Sequence, residues 1–464
     1  MRILLINANA LRLDDGRRWH ETHARGAYAP TTLTTLASLV PPELEAEVML
    51  VDETADEVPA DFAAADLVGI SAMTCDAPRA YQLADNARAL QIPVVLGGYH
   101  ATFMPQEAGE HADAVVKGFA EAAWPQLLRD FARGSMRPVY EADWQDAFTS
   151  DLPAPRRDLL RRKAYATANT IETSRGCANP CSFCVVPPMH QRRYVQRRME
   201  QVAADIQRMP AGPLALLDAN PAESPEFAAN LFEVLAHTGR KWFAAASLKC
   251  AADPQWVRKA RASGCRGLVI GFESLDARSL AGAGKTFNEV KSYGQTCRRL
   301  HDEGIAILGC FIFGFDGEQP AVFEHTVEFV DAHRIDLVLY SAYTPFPGTG
   351  AWSRLQSQKR ILTNDWSRYD GRHVVFEPVG MTVDQLQEGI YYAWNQTYGF
   401  RSIFKRVIGA ATLPLIDLIV NLKFRQYRRT FLPAKLSADC NVSSRRDAPA
   451  SATVDREQGP AVSG

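Results

Sequence analysis

The feature that most constrains this chain is a repeated exchange between short apolar runs and helical patterns. In residues 1–135 the apolar runs lie at 2–7, 47–52, 67–71, 93–96 and 114–117. Their Val, Ile and Leu residues are continuous, which is typical of parallel strands that are buried on both faces. The sequence therefore predicts an α/β domain with a doubly wound, Rossmann-like sheet over residues 1–135.

A second series of strand and helix patterns follows a predicted linker at 136–165. Its strands are predicted at 168–173, 214–218, 242–247, 267–272, 305–313 and 336–341. Strand–helix units in a row predict a partial (βα)6 TIM-like barrel over 166–349, with chemistry at the carboxyl ends of its strands. Residues 350–433 have helical patterns, and the Ser- and Ala-rich residues 434–464 are expected to be a disordered tail.

The first-domain strands end in small, polar and glycine-rich segments. Ligands of doubly wound sheets bind beyond these ends, and glycine allows a flat ligand to approach the backbone closely. The candidate contacts are Ser71, Thr74, Gly97, Gly98, Tyr99, His100, Gly118 and Glu121. No Gly-x-Gly-x-x-Gly follows the first strand, which reads Ile6-Asn7-Ala8-Asn9, so a dinucleotide is disfavoured.

A triplet of cysteines, Cys177, Cys181 and Cys184, directly follows the first predicted barrel strand. Three thiolates on one loop can bind three irons of a [4Fe–4S] cube and leave the fourth iron open for a small molecule. A structural zinc site is the alternative, but it needs four ligands, and His190 is the one nearby candidate. The uneven spacing of the nine cysteines is typical of a cytosolic chain with one metal or redox cluster.

Composition excludes several other classes of protein. The 51 Lys and Arg residues nearly balance the 53 Asp and Glu residues, which argues against nucleic acid as the main partner. No apolar run of about 18 residues is present, so no membrane-spanning helix is predicted. The first residues lack the layout of a signal peptide, and a cytoplasmic location is expected.

The Cys-x3-Cys-x2-Cys spacing, with Phe183 before the last cysteine, resembles the cluster motif of the radical S-adenosylmethionine (SAM) family. The domain order over 1–430 and the segments 68–72 and 95–100 resemble the cobalamin-binding subclass of that family. Hopanoid methylases and the anaerobic magnesium-protoporphyrin ester cyclase belong to this subclass. Segment 117–121, Lys-Gly-Phe-Ala-Glu, departs from the usual Gly-Glu-Gly-Glu form.

The resemblance implies a [4Fe–4S] cluster on the three cysteines, SAM on the open iron and cobalamin in the first domain. It implies that Asp218 and Asn220 contact the SAM amino group, that Glu273 contacts the ribose or polar end, and that Gly314 lies near the adenine. Structural roles are the alternatives: Asp218 could cap the next helix, and Glu273 could pair with Arg266 or Arg278.

The sequence also gives an expectation for the ligand on the lower face of the cobalamin. The Asp-x-His-x-x-Gly signature that places a histidine on cobalt is missing from this chain. Base-off cobalamin without a protein histidine ligand is therefore expected. His100 is expected to line the pocket rather than bind the metal.

The resemblance favours a C-methyltransferase that acts on an unactivated carbon of a large polycyclic or lipid-like substrate, such as a polycyclic lipid or a tetrapyrrole. A radical oxidative cyclase or rearrangement enzyme with the same cofactors is the alternative. A tRNA methylthiotransferase is excluded because it needs three further cysteines in its first domain, where this chain has only Cys75. Flavodoxin or ferredoxin is the expected electron donor.

The segment 402–433 has an apolar centre at 407–420 between basic residues. One interpretation is a helix pair packed on the barrel. The other is a peripheral contact with the inner face of the membrane that delivers a lipid-like substrate.

Overall fold

The chain forms two six-stranded parallel sheets, one from each half of the sequence, and a separate two-stranded ribbon. The computed structural model describes residues 1–9, 28–142, 152–408 and 414–427. The predicted tail at 434–464 lies outside the described residues.

The first sheet has the strand order β2-β1-β3-β4-β5-β6. Its strands are β1 (Arg2–Asn7), β2 (Glu47–Asp52), β3 (Leu67–Ser71), β4 (Val94–Gly97), β5 (Ala114–Lys117) and β6 (Val139–Glu141). Successive residues of β1 enter different cores, with Leu4 and Ile6 on one face of the sheet and Ile3 and Leu5 on the other. Because both faces are covered, the predicted doubly wound architecture is confirmed.

Strand β6 corrects the sequence prediction, which placed 139–141 in the linker. It has three residues, of which only Tyr140 is buried, and it pairs in parallel with β5 at the sheet edge. A strand with one buried side chain leaves no continuous apolar run in the sequence.

Helices cover both faces of this sheet. They are α1 (Thr32–Ser38), α2 (Ala77–Ala89), α3 (Tyr99–Phe103), α4 (Pro105–His111) and α5 (Ala120–Ala132). Helices α3 and α4 lie where the sequence suggested only a strand-end loop. The turn into α3 needs glycine at Gly98, which has φ +96° and would place a Cβ 2.7 Å from the carbonyl oxygen of Ala72.

The second half of the chain forms the predicted partial barrel. Its strands are β7 (Thr170–Ile171), β8 (Ser174–Gly176), β9 (Tyr194–Gln196), β10 (Leu214–Leu216), β11 (Trp242–Ala246), β12 (Cys265–Glu273), β13 (Ala306–Phe313) and β14 (Leu337–Ala342). The parallel sheet runs β7-β10-β11-β12-β13-β14, so neighbours in the sheet follow each other along the chain. Strands β8 and β9 form the antiparallel ribbon that encloses the cysteine triplet.

Helices alternate with these strands and continue beyond them. They are α6 (Val186–Met189), α7 (Met199–Arg208), α8 (Pro225–Thr238), α9 (Leu248–Ala251), α10 (Pro254–Ala262), α11 (Ala277–Gly282), α12 (Tyr293–Asp302), α13 (Val322–Ala332), α14 (Gly350–Ser357), α15 (Val383–Thr397), α16 (Phe400–Val407) and α17 (Pro414–Tyr427). The predicted helical region thus contains α14 to α17. Between α14 and α15 the helical structure is one short 3₁₀ turn at Trp366–Arg368.

Candidate active site

The loop that carries the three cysteines is held at its start by the buried carboxylate of Asp218. One oxygen accepts hydrogen bonds from the backbone N–H and hydroxyl of Thr173 (3.0 and 2.7 Å) and of Ser174 (2.5 and 2.6 Å). Burial raises the pKa of Asp218 to about 6, against the effect of these bonds. Asp218 therefore fixes the loop. It does not cap the next helix, α8, whose cap is Ser224, and its contact with SAM stays a prediction.

Polar side chains surround the first thiol of the triplet. The amide of Asn179 donates to Cys177 Sγ (3.2 Å), and Glu223 Oε2 lies 3.8 Å from the same sulfur. Asn220 donates to Glu223 at 2.6 Å, while its buried Oδ1 has no hydrogen-bond partner in the described part of the chain. Asn220 thus lies beside the cysteine loop, and its contact with the SAM amino group stays a prediction. Glu223 belongs to no recognisable motif, so the sequence did not predict it as a site residue.

The donor set of the loop fits an iron–sulfur cube better than a single ion. Burial raises the pKa of all three thiols. That of Cys181 is raised to about 12, chiefly by burial, while the charge of Lys285 acts against this rise and the neighbouring Cys184 and Cys177 add to it. Across the described ranges, no three His, Cys, Asp or Glu side chains converge on one metal-ion position. A cube binds each thiolate through a different iron, so it requires neighbouring thiols rather than a shared point.

A buried ion pair, Lys285 with Glu273, lies beside this loop. The ammonium group also donates to the carbonyl of Gly271 (3.2 Å) and lies 6.0 Å from the ring centre of Phe183. Burial lowers the pKa of Lys285, but the charge and hydrogen bond of Glu273, together with the charges of Cys181 and Cys184, outweigh burial, and the pKa is raised overall. Lys285 was missed by the sequence analysis, and Glu273 pairs with it instead of Arg266 or Arg278.

The backbone around Glu273 is unusual. Glu273 has φ +63°, and the pairing between β12 and β13 shifts its register there. A Cβ on Gly271 would lie 2.2 Å from Glu273 Oε1, so glycine is required for the carboxylate to lie over the strand. Left-handed backbone in a non-glycine residue is often found at functional sites.

The glycine stretch after β13 is held by a second buried carboxylate. Glu318 accepts from the N–H groups of Gly314 (2.8 Å) and Phe315 (3.2 Å) and from the hydroxyl of Ser274 (2.7 Å). It thereby joins the carboxyl ends of β12 and β13. A Cβ on Gly314 would lie 2.7 Å from Leu386 Cδ2, so the glycine is required by packing against α15.

The strand ends of the first domain form a connected edge. The Thr102 hydroxyl donates to the Gly98 carbonyl (2.7 Å) and accepts from the Gly118 N–H (3.0 Å), which joins the ends of β4 and β5. Gly118 has φ +71°, and no atom lies within 4 Å of the position of an added Cβ. Ser71, Thr74 and Gly97 lie on the same edge. A glycine-lined, open edge fits a flat macrocycle.

Two predicted contacts of this edge have other partners. His100 is buried beside Tyr81 and Trp366, and its Nε2 lies 3.3 Å from Glu107, so it packs behind the edge rather than lining the pocket. Glu121 is buried and paired with Arg175 of the second half of the chain. This pair is a bridge between the two sheets, and the expected contact of Glu121 with the cofactor stays a prediction.

The carboxyl ends of the two sheets meet at this bridge. The Phe119 ring lies 5.0 Å from that of His190, whose pKa burial lowers to about 4. Burial, followed by the charges of Glu172 and Cys184, raises the pKa of the Tyr99 hydroxyl to about 12. The Tyr99 hydroxyl is therefore within electrostatic reach of the cysteine loop. His190 contacts the first domain and joins no metal-binding group of the described residues.

The same junction extends to the loop after β14. A Cβ on Gly348 would lie 2.1 Å from a ring carbon of Phe103 in the first domain. Thr349 then caps α14 by accepting from the Trp352 N–H at 3.1 Å. The loop 344–349 thus packs the barrel against the first domain.

The inner face of the barrel is open and mostly apolar. Residues of β12 to β14 alternate between buried side chains on the helix side and half-buried ones on the inner side. The half-buried inner residues include Val269, Gly271, Leu308, Cys310, Ile312, Leu339 and Ser341. This surface can accept an apolar ligand next to the cysteine loop.

Two family models match the chain, one over each sheet. The B12 binding domain model matches residues 44–128, and the Radical SAM superfamily model matches residues 171–330. The chain is therefore a radical SAM enzyme with a cobalamin-binding domain. Its cofactors are cobalamin, a [4Fe–4S] cluster and SAM.

Relatives and solved structures narrow this class. The chain is 32% identical over 373 residues to bacteriochlorophyllide d C-12(1)-methyltransferase of Chlorobaculum tepidum, covering 78% of this chain and 81% of that protein. It is 27% identical over 423 residues to the bacteriochlorophyllide d C-8(2)-methyltransferase of the same organism, covering 88% and 92%. The chain belongs to the family of cobalamin-dependent radical SAM methyltransferases.

The fold is also found in a solved structure. The radical SAM methyltransferase TsrM from Kitasatospora setae, with cobalamin and a [4Fe–4S] cluster bound, superposes with a TM-score of 0.64. The match covers 92% of this chain and 99% of TsrM at 17% identity, so the likeness is one of fold.

Proposed function

We propose that this enzyme methylates a carbon atom of a large, flat polycyclic substrate, most directly a tetrapyrrole of the chlorin type. The observation that carries the proposal is the meeting of the two sheet ends, where the Phe119 ring lies 5.0 Å from that of His190 and Glu121 pairs with Arg175. When bound, the cluster and SAM supply a radical that removes hydrogen from the substrate, and cobalamin supplies the methyl group. The residues of the chain hold these groups next to each other and away from water.

The cofactor contacts are part of the same proposal. Cys177, Cys181 and Cys184 would hold the cluster, since they are neighbouring thiols on one tightly fixed loop. The edge at Gly97, Gly98 and Gly118, with Ser71 and Thr74, would hold the cobalamin. This edge is glycine-lined, and the Cβ position of Gly118 faces open space.

Contacts with SAM would come from the side chains that lie around the cysteine loop. The buried Oδ1 of Asn220 is free to accept a hydrogen bond from an ammonium group. Glu273 and Lys285 lie at the other side of the loop and offer both signs of charge to the polar end of SAM.

The substrate class rests on the relatives and on the inner face of the barrel. Both bacteriochlorophyllide methyltransferases match most of this chain. The small or apolar residues Val269, Gly271 and Leu308 leave an uncharged surface. Such a surface suits a flat, apolar ring system better than it suits a charged substrate. A polycyclic lipid is the second candidate, because it needs the same apolar surface.

An acidic electron carrier, flavodoxin or ferredoxin, would reduce the cluster. Three arginines, Arg192, Arg193 and Arg198, reach the surface around β9, directly after the cysteine loop. A basic surface close to the cluster favours docking of an acidic protein.

The proposal is tested with methyl-deuterated SAM. Purified enzyme with cobalamin and a rebuilt cluster is incubated with bacteriochlorophyllide d and dithionite, and in parallel with flavodoxin and its reductase. We expect a deuterated methyl on the macrocycle, with 5′-deoxyadenosine and S-adenosylhomocysteine both formed. The Cys177/Cys181/Cys184→Ala variant should lose its iron, sulfide and all products. The matched Cys250→Ala variant, in α9, should keep them.

Other outcomes assign the chain differently. Deoxyadenosine without S-adenosylhomocysteine indicates the cyclase or rearrangement reaction. If a lipid from a cell extract is labelled and the macrocycle is not, the enzyme is a methyltransferase whose substrate is a lipid instead of a tetrapyrrole. A full cluster in the triple cysteine variant refutes the ligand assignment. A flavodoxin-driven rate no higher than that of buffer excludes this donor.

A further inference from the structure

Helix α16 exposes a row of large apolar side chains on one face. Phe400, Phe404 and Ile408 have 55%, 52% and 67% of their surfaces exposed. They are spaced by four residues, so Phe400 and Phe404 lie one above the other on the helix, and Ile408 is the residue directly after its end. Each is of a type that is usually buried, yet more than half of its surface is exposed.

The opposite face of α16 fixes this orientation. The fully buried guanidinium of Arg406 donates to the carbonyls of Ile335 (2.9 Å), Asp336 (2.8 Å) and Thr397 (2.8 Å) and to Asn421 Oδ1 (2.9 Å). A buried arginine with every bond satisfied cannot turn outward without a large loss of free energy. The buried side of α16 therefore holds the apolar row at the protein surface.

Helix α17 extends the same surface. Its Ile419 and Leu422 are 48% and 41% exposed, one turn apart. The guanidinium of Arg425 lies 3.9 Å from the ring centre of Phe400, which brings the second helix beside the first. We call Phe400, Phe404, Ile408, Ile419 and Leu422 the apolar face.

The charged side chains of these two helices that reach the surface have one sign, and Lys405 also lies 3.6 Å from the carboxylate of Asp331 in α13. Those that reach the surface on α16 and on the described side chains of α17 are Arg401, Lys405, Lys423 and Arg425. The acidic residue of these two helices is Asp417, which is buried. Apolar side chains between cations match the boundary of an anionic bilayer, where acyl chains lie below acidic headgroups.

We propose that the apolar face binds in the plane of an anionic lipid bilayer. None of the helices in the described part of the chain has the length and apolar content to span a bilayer. The contact is a shallow one, in which the apolar side chains enter the acyl boundary and the basic side chains bind headgroups. The proposal does not depend on the reaction proposed above, because it needs neither cofactor nor substrate.

The position of this face gives it a definite role. Arg406 and Asn421 bind the Asp336 carbonyl, just before β14, so the helix pair lies at the amino ends of the barrel strands. The cysteine loop lies at the carboxyl ends. The face therefore holds the enzyme at a membrane without forming the entrance to its site. The helix pair packs on the barrel, as one of the two interpretations of the sequence expected. We therefore propose that this segment tethers the enzyme to the membrane and does not deliver the substrate.

Vesicle flotation with the full chain tests the proposal. Vesicles of phosphatidylcholine alone are compared with vesicles containing about a quarter phosphatidylglycerol, at low salt and at about 0.5 M salt. We expect at least about tenfold more protein on the anionic vesicles at low salt. The Phe404→Ser/Ile408→Ser variant should lose about tenfold of this binding. Val379→Ser, which alters a side chain that is 65% exposed elsewhere, is the matched control and should bind normally.

The charge contribution is tested separately with Lys405→Gln/Lys423→Gln. This variant should bind anionic vesicles about tenfold more weakly and show a smaller salt dependence. Equal binding to both vesicle types, or unchanged binding by the apolar variant, overturns the proposal. A dimer in analytical ultracentrifugation that Phe404→Ser/Ile408→Ser dissociates, with no vesicle binding, assigns the face to a second copy of the chain instead.

Discussion

At the scale of single residues, the charge next to the cysteine loop matters most. Lys285 is buried with Glu273, and its positive charge acts on Cys181 and Cys184. Since water is largely excluded there, the two charges act on the loop over a short and weakly screened distance. The reduction potential of an iron–sulfur cluster depends on the net charge around it.

We therefore predict opposite shifts from neutralising each member of the pair. Lys285→Met should lower the cluster midpoint potential, because a cation that stabilises the reduced cluster is lost. Glu273→Gln should raise it, because Lys285 remains without its counter-charge. Each shift should be about 60 mV, which for one electron is about 1.4 kcal/mol. Redox titration without SAM, followed by electron paramagnetic resonance, measures both.

A conservative variant serves as the control. Lys285→Arg keeps the charge and should keep the potential, while iron and sulfide contents should be equal in all three variants. Equal potentials in Lys285→Met, Glu273→Gln and wild type would show that the pair has a structural role only.

At the scale of elements, Glu318 connects the ends of β12 and β13 through Ser274, Gly314 and Phe315. Burial raises its pKa from the usual 4.5 to about 7 in the folded protein. The folded state therefore favours the protonated carboxyl. The stability that it contributes is complete below about pH 4.5 and is lost as the pH rises through about 7.

Glu318→Gln should remove this pH dependence, because an amide stays neutral throughout. Between pH 4.5 and 7, the free energy of unfolding of the wild type should fall relative to that of Glu318→Gln by up to about 3 kcal/mol. Urea unfolding at both pH values measures the difference. Glu388→Gln, on the exposed side of α15, should follow the wild type. Parallel pH curves for Glu318→Gln and wild type would contradict the prediction.

At the scale of the whole molecule, the two halves of the chain are joined by polar contacts between distant residues. Tyr165 donates to Asp52 at 2.8 Å, and Trp366 donates to Glu107 at 2.7 Å. The pair Arg175–Glu121 lies nearest the cysteine loop and connects it with the first turn of α5. The reaction needs the cobalamin and the cluster-bound SAM to be held at a fixed distance from each other. Because this pair joins the two domains that hold them, it is a positioning contact.

Glu121→Gln should therefore uncouple the two half-reactions. Arg175 keeps its pair with Glu172 (2.9 Å), so the cysteine loop and cluster should remain intact. We expect methyl transfer to fall about tenfold while deoxyadenosine formation changes little, which raises the ratio of deoxyadenosine to methylated product. Product analysis by mass spectrometry gives this ratio. Glu141→Gln, which breaks the exposed pair with Lys117, is the matched control. An unchanged ratio in Glu121→Gln would exclude the positioning role.

The sequence by itself determined the features that depend on neighbouring residues. Continuous apolar runs bury both faces of a strand wherever they occur, and so they predicted both parallel sheets. The cysteine spacing and the glycines at 97, 98 and 118 are likewise local. Strand β6, with its single buried residue, was missed because it carries no such pattern.

Only the tertiary structure decided what the polar side chains do. Asp218 binds a loop 45 residues away, Glu121 pairs across 54 residues, and Trp366 binds Glu107 across 259. Lys285 and Glu273 meet because a strand end and the loop after α11 converge. The physical reason is that a buried charge or polar group must find a partner wherever packing provides one, and packing brings together residues that no local pattern connects.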